Sequence, residues 1–294
     1  MSVYNSRVNF IIIALLTGFP VLGQKTKLEE QVTALSAQFS AKIGVTALVL
    51  ETEEILVSFH GGDRFPMQSV YKFPIAMAIL NEVDQGRLKL NQKIKVEPSE
   101  IIPRGVSPIR EKYPQGAVLT LSELLRLNIV DSDGTACDVL LRIMGGTAKV
   151  QYYLNNLGIT GINIATTEMV QVSDDWIQYQ NWSTPDAMTQ LLYLFYNKKV
   201  LSKPSHLMLL KWMKASIPGA QRLKGALPKN AIVAHKAGTS GTNDGLTRAT
   251  NDVGIITLPN GNHLAISVFV ADTYASQEER EGLIAAIAKM AWEY

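Results

Sequence analysis

Phe65-Pro66-Met67-Gln68-Ser69-Val70-Tyr71-Lys72 runs straight into an unbroken apolar segment, Phe73 to Leu80. A segment apolar on every side predicts a buried helix. Ser69 then stands at the helix mouth, where unpaired N–H groups favour negative charge. Lys72 follows three residues later, so hydroxyl and amine share one face. An amine beside a hydroxyl can accept its proton once burial or nearby positive charge lowers the amine's pKa. Ser69 is therefore a candidate nucleophile with Lys72 as its partner. Taken alone, Ser-x-x-Lys also arises by chance in many proteins. Pro74 removes a hydrogen bond early in the helix, and a local kink is the expected accommodation.

On the N-terminal side, Leu28, Val32, Leu35 and Phe39 recur at helical spacing and predict a helix from about Lys27 to Lys42. Val45, Ala47 and Val49 alternate as a strand, Glu51 to Glu54 turn, and Ile55 to Phe59 return. On the C-terminal side the chain stays mostly helical until about Ser216. Thr120-Leu121-Ser122-Glu123 has the capping-box form, and Ser183-Thr184-Pro185 caps a further helix. From Ala231 strands return: Ile232 to His235, Val253 to Leu258 and Leu264 to Ala271. Pro259-Asn260-Gly261-Asn262 joins the last two as a hairpin, and a helix bearing Leu283, Ile287 and Met290 ends the chain.

The simplest packing is an α+β fold. One antiparallel sheet of about five strands is built from both ends of the chain and flanked by helices. Residues 24–66 and 217–294 form this α/β lobe, residues 67–216 an all-helical lobe, and the active site lies in the cleft between them.

With 294 residues and 47% hydrophobic content, the chain has ample material for such a core. A net charge of +2 with no basic block gives no case for nucleic acid. Cys137 is the single cysteine, so an intramolecular disulfide or thiolate cluster is excluded. His60, His206, His235 and His263 are scattered without metal-ligand spacing, so structural roles are expected and no metal or cofactor is implied. Arg7 precedes an apolar run, Val8 to Leu22, and Gly23-Gln24 fits a signal-peptidase site. A retained membrane anchor is the competing reading. The run is short for a span and is interrupted by Gly18-Phe19-Pro20, so residues 1–23 read as a signal peptide of an exported, periplasmic protein.

Three further segments carry chemistry. Ser132-Asp133-Gly134 lies in a turn between two predicted helices. His235-Lys236-Ala237-Gly238-Thr239 ends a predicted strand, with Gly238 allowing a ligand close to the backbone. Glu168 sits in a long irregular stretch, Thr166 to Ser183, and loops of that length are commonly functional. Each alone is ordinary. Their order and spacing match the motif set of serine β-lactamases and penicillin-binding proteins. The chain resembles the class A β-lactamases, particularly the PER-like and VEB-like branch, over nearly its whole mature length. Ala136-Cys137-Asp138, Gln178-Tyr179-Gln180-Asn181-Trp182, Arg222-Leu223-Lys224-Gly225 and Ala249-Thr250-Asn251-Asp252 belong to the likeness.

The resemblance implies roles. Ser69 attacks the lactam carbonyl, and backbone N–H groups of Ser69 and Thr239 hold the oxyanion. Ser132 passes a proton to the departing nitrogen, aided by Lys236, whose charge attracts the substrate carboxylate. Glu168 activates the water that frees the acyl-enzyme. Either Lys72 or Glu168 is the base in acylation. Gly238, Thr239 and Gly134 fall at substrate-binding positions. Arg222 is a second carboxylate anchor or a surface arginine, and Arg248 is a weaker candidate for the same task. The substrate is a β-lactam, and the resemblance favours a monomer without a stable membrane anchor.

Three positions depart from the pattern. Gly134 stands where an asparagine amide is usual, Ala237 where a serine or threonine hydroxyl is usual, and Val172 where a water-fixing asparagine or histidine is common. They predict a hydrolase of reduced or unusual efficiency. They also keep a non-hydrolytic β-lactam sensor or trap open, beside a D-alanyl-D-alanine peptidase or transpeptidase.

Overall fold

The computed structural model describes residues 27–197 and 200–294. The predicted signal peptide, residues 1–23, lies outside them. Five strands form one antiparallel sheet: β1 Lys42–Val49, β2 Ile55–Phe59, β3 Val233–Thr239, β4 Thr250–Thr257 and β5 His263–Ala271. Their spatial order is β2-β1-β5-β4-β3, so both ends of the chain contribute, as the patterning predicts.

The sheet is buried on both faces, and β5 shows how. Leu264, Ile266, Val268 and Val270 belong to one core cluster, while Ala265, Phe269 and Ala271 belong to the other. This is the period of two that a pleated strand imposes. The first face packs on α1 (Lys27–Ser36) and α6 (Gln277–Trp292), through residues such as Leu28, Val32, Leu283 and Ile287. The second meets the larger core built on α2 (Lys72–Asp84), α3 (Gly134–Met144), α4 (Pro185–Asn197) and α5 (Lys203–Lys214).

α1 stops at Ser36, short of the expected Lys42, because β1 already begins there. Phe39 keeps the helical spacing but packs on the same core from a turn. β3 and β4 also differ from expectation, starting at Val233 and Thr250 and ending at Thr239 and Thr257. Pro74 is the third residue of α2, where a helix has no intrahelical use for its N–H, so the expected kink is not required.

The 67–216 stretch is mostly helical but carries short ladders. Lys93–Val96 pairs with Ala117–Thr120, and Trp182–Ser183 joins Phe65–Pro66 to Ile162–Asn163. α4 lies on the sheet itself: Thr189 Oγ1 bonds Thr46 O at 3.2 Å and Ser267 Oγ at 2.8 Å. The capping box at Thr120 and Glu123 forms as predicted.

Candidate active site

Ser69 sits in a single 3-10 turn, Gln68–Tyr71, that feeds directly into α2. Gln68 enters this turn with φ of 48°, a left-handed conformation a non-glycine residue adopts at some cost. Its side chain compensates. It donates to Gln178 Oε1 at 2.6 Å and accepts from Gln171 Nε2 at 3.1 Å, and Asn181 Nδ2 in turn reaches Gln171 Oε1 at 3.2 Å. The nucleophile turn is thereby tied to the 166–183 loop.

Behind Ser69 runs β3. A Cβ at Gly238 would collide with Met67 O and stand 3.1 Å from both Ser69 N and Val70 N. Only glycine lets the strand approach the nucleophile this closely. Asn251, beside Gly238 in register, fastens the same segment by donating to Pro66 O at 2.8 Å and Met67 O at 3.2 Å.

Lys72 and Glu168 meet at the bottom of the cleft. Lys72 Nζ lies 2.7 Å from Ser69 Oγ and 2.5 Å from Glu168 Oε1. Lys72 is fully buried, which disfavours its charge, yet the Glu168 carboxylate and the Cys137 and Asp133 side chains keep its pKa above the ordinary lysine value. Asn128 Nδ2 holds the Lys72 carbonyl at 3.1 Å.

Glu168 opens a short helix, Glu168–Gln171, inside the stretch expected to be irregular. Thr167 caps it, and the two oxygens of Asp138 on α3 accept the N–H groups of Glu168 and Met169 at 2.7 Å each. Burial pushes the Asp138 carboxyl up to about 6, against those two N–H groups.

Ser132 follows one turn of π-helix, Leu127–Asp131, and is itself left-handed at φ 59° and ψ 32°. Asp133 next to it caps α3 through Ala136 N at 2.8 Å and binds Ile109 N at 2.7 Å. The turn is thus fixed from both sides, and Ser132 Oγ accepts from Lys236 Nζ at 2.8 Å. Lys236 also donates to Ala237 O at 3.0 Å. Complete burial, with the Lys72 ammonium adding to it, brings Lys236 down to about 7.

Arg222 is not a surface residue. It is buried behind β3, where Nη1 binds Gly238 O at 3.0 Å and Asn251 O at 2.9 Å, Nη2 binds Thr239 Oγ1 at 2.6 Å, and Nε pairs with Glu281 at 3.2 Å. With its oxygen already accepting, the Thr239 hydroxyl has its own hydrogen free for a ligand. Arg248 is engaged elsewhere, paired with Asp175 and stacked 4.2 Å over Trp176.

The cleft of about 360 Å³ is lined by Ser69, Lys72, Ser132, Glu168 and Thr239, together with Gln68, Arg104 and Val172. The structure therefore forms two hydrogen-bonded groups from the five predicted side chains, Ser69–Lys72–Glu168 and Ser132–Lys236. Of the departures, Val172 lines the cleft, Ala237 is buried, and Gly134 is packed against Ile102. Sequence reading missed Gln68, Asn128 and the role of Asp138. Their polar partners lie on other segments of the chain, so no local pattern marks them.

Across residues 27–294 the chain matches the family described as the Beta-lactamase enzyme family. The chain belongs to that family. Beta-lactamase VEB-1 from Pseudomonas aeruginosa is 48% identical over 258 residues, which are 87% of this chain and 86% of that protein. Extended-spectrum beta-lactamase PER-1 from the same organism is 36% identical over 286 residues, 97% of this chain and 92% of its own. A crystal structure of a beta-lactamase from Chitinophaga pinensis is 45% identical with a TM-score of 0.88, covering 90% of this chain and 98% of that one. The five-stranded antiparallel sheet and its helices are thus the beta-lactamase fold, and no helix among the described residues is long and apolar enough to cross a membrane.

Proposed function

We propose that this beta-lactamase family member hydrolyses the amide of a β-lactam ring through an acyl-serine intermediate. The observation that carries the reading is the contact between Lys72 Nζ, Ser69 Oγ and Glu168 Oε1. Ser69 Oγ attacks the lactam carbonyl while its proton passes into the Lys72–Glu168 pair. Backbone N–H groups of Ser69 and Thr239 stabilise the oxyanion, each such donor contributing about 3 kcal/mol to lowering the barrier. Support comes from the close seating of Gly238 against Ser69 N.

Ser132 donates its proton to the ring nitrogen as the C–N bond breaks and draws one from Lys236 Nζ; the Lys72–Glu168 pair then gives up the proton it took from Ser69 and Lys236 regains one, so that Glu168 is again a carboxylate. Lys236 and the Thr239 hydroxyl, oriented by Arg222, bind the substrate carboxylate. Glu168 then takes a proton from water, which attacks the acyl carbon and returns Ser69. Glu168, hydrogen-bonded to the nucleophile's lysine and placed to activate water for deacylation, favours the lactamase over a peptidase. Export to the periplasm and action as a monomer complete the proposal.

Intact-mass measurement during incubation with a penicillin tests it. Rapid return to the free mass with product is expected, and a Glu168→Gln variant should accumulate a stable adduct on Ser69. A persistent adduct on the unaltered protein would identify a trap instead. Unimpaired hydrolysis by the Glu168→Gln variant would remove Glu168 from its role.

A further inference from the structure

Arg248 takes no part in the chemistry above, yet it stands between two cavities. Outside the cleft lies an open hollow of about 500 Å³, lined by Trp176, Tyr179, Leu246, Arg248 and Asp272. Asp175 and Gln178, next to the two aromatics in sequence, line the cleft instead. The ion pair of Arg248 Nε with Asp175 Oδ2 therefore runs from the hollow to the cleft wall.

The guanidinium is held on every side that the contacts describe. It stacks 4.2 Å over the Trp176 ring, and Nη1 donates to the Tyr179 hydroxyl at 3.4 Å. That hydroxyl in turn donates to Asp272. The other oxygen of Asp175 accepts from Gln178 Nε2 at 2.8 Å. Ser240 Oγ fixes the backbone behind the arginine, accepting from Arg248 N at 3.1 Å and Ala249 N at 3.0 Å. Only 13% of the Arg248 side chain is exposed. A shielded pair whose cation also rests on an aromatic face holds better than a pair in open solvent.

On the lactamase reading, the substrate's carboxylate and its reacting carbonyl take the end of the cleft at Lys236, Thr239 and Ser69. The acyl side chain is left the part walled by Gln68, Asp175, Gln178 and Asn243. This is the wall that Arg248 backs. We propose that Arg248 is a specificity-determining residue: its guanidinium closes the cleft off from the hollow and so limits the size of acyl side chain that a β-lactam can bring. With the cation gone, the Trp176 and Tyr179 faces it covers become a platform for an aromatic ring of the substrate. The bonds made and broken at Ser69 are unchanged.

The inference rests on the lactamase reading. Its test is kcat/KM, on the full chain, for two penicillins that differ only in side chain, one acetyl and one biphenylacetyl. In Arg248→Ala the ratio of the large substrate to the small should rise about tenfold, the scale on which modest changes in pocket shape discriminate. An unmoved or lowered ratio would overturn the proposal. That includes an equal loss on both substrates, the mark of a loop that has merely loosened. If Arg248→Ala does not fold, as judged by circular dichroism, Arg248→Gln decides by the same ratio, since it also breaks the ion pair while keeping most of the bulk. Wild-type protein that turns over neither penicillin would sink the lactamase reading and this inference together. Wild-type turnover of the acetyl compound, with the ratio unmoved in the variant, would sink this inference only.

Discussion

The Ile102 side chain occupies the space that any side chain on residue 134 would need. A Cβ built on Gly134 collides with Ile102 Cδ1 and lies 3.4 Å from Glu168 Cγ. The segment is also stitched to the start of α3, with Gly134 N donating to Val106 O at 2.8 Å and Ile102 N to Thr135 Oγ1 at 3.2 Å. Gly134 and Ile102 are one adaptation. Gly134→Asn alone should therefore lose about 1–3 kcal/mol of stability by overpacking. Combining it with Ile102→Ala should be less destabilising than the two separate losses together. Denaturant unfolding of the two singles and the double checks this, and strict additivity would exclude the coupling.

Arg222 connects Thr239 to the body of the protein through three further hydrogen-bonding partners, Gly238 O, Asn251 O and Glu281. Arg222→Ala should raise KM and lower kcat/KM at least tenfold, since a bond to a charged donor is worth roughly 1.5–3 kcal/mol. Arg222→Lys should recover little, because an ammonium lacks the planar fork. Steady-state kinetics with a chromogenic cephalosporin measures both.

Asp138 gives a pH dependence of stability. Its folded pKa, about 6, is raised above the ordinary carboxyl value of 3.8. The folded state thus binds the proton more tightly than the unfolded chain, and stability falls as pH rises from about 4 to about 6. The loss is on the order of 1–3 kcal/mol at 1.36 kcal/mol per unit. Asp138→Asn should flatten this slope while giving up one of the two N–H contacts to the Glu168 turn. Parallel unfolding curves between pH 4 and pH 7 test the sign.

Val172 lines the cleft one residue beyond the short helix of Glu168. It offers no hydrogen bond to the hydrolytic water. Val172→Asn should shorten the lifetime of the acyl-enzyme several-fold, a new bond contributing about 0.5–1.5 kcal/mol, without changing the rate of acylation. Stopped-flow mass analysis separates the two steps.

The sheet was legible because β5 is a short, mostly apolar run and because Pro259 to Asn262 spell a hairpin, with Gly261 at φ 89°. The candidate site was legible in Ser69, Lys72, Ser132, Glu168 and Lys236 through a motif likeness. Periodicity alone would not have joined them. The end of α1 was not legible, since Phe39 satisfies the helical spacing while serving the core from a turn. Nor was the left-handed Ser132, which no glycine announces. The burial of Arg222 was not legible for a physical reason: its four partners come from β3, β4 and α6, and none is near it in sequence.

Gly238 seats the penultimate residue of β3 against the amide of Ser69, uniting parts of the polypeptide made early and late in synthesis. A ribosome-bound fragment ending before residue 238 would carry the serine, the first lysine and the glutamate, and still be inert. Onset of hydrolysis in a refolding reaction would consequently time the arrival of that last edge, making the enzyme its own clock for completed folding.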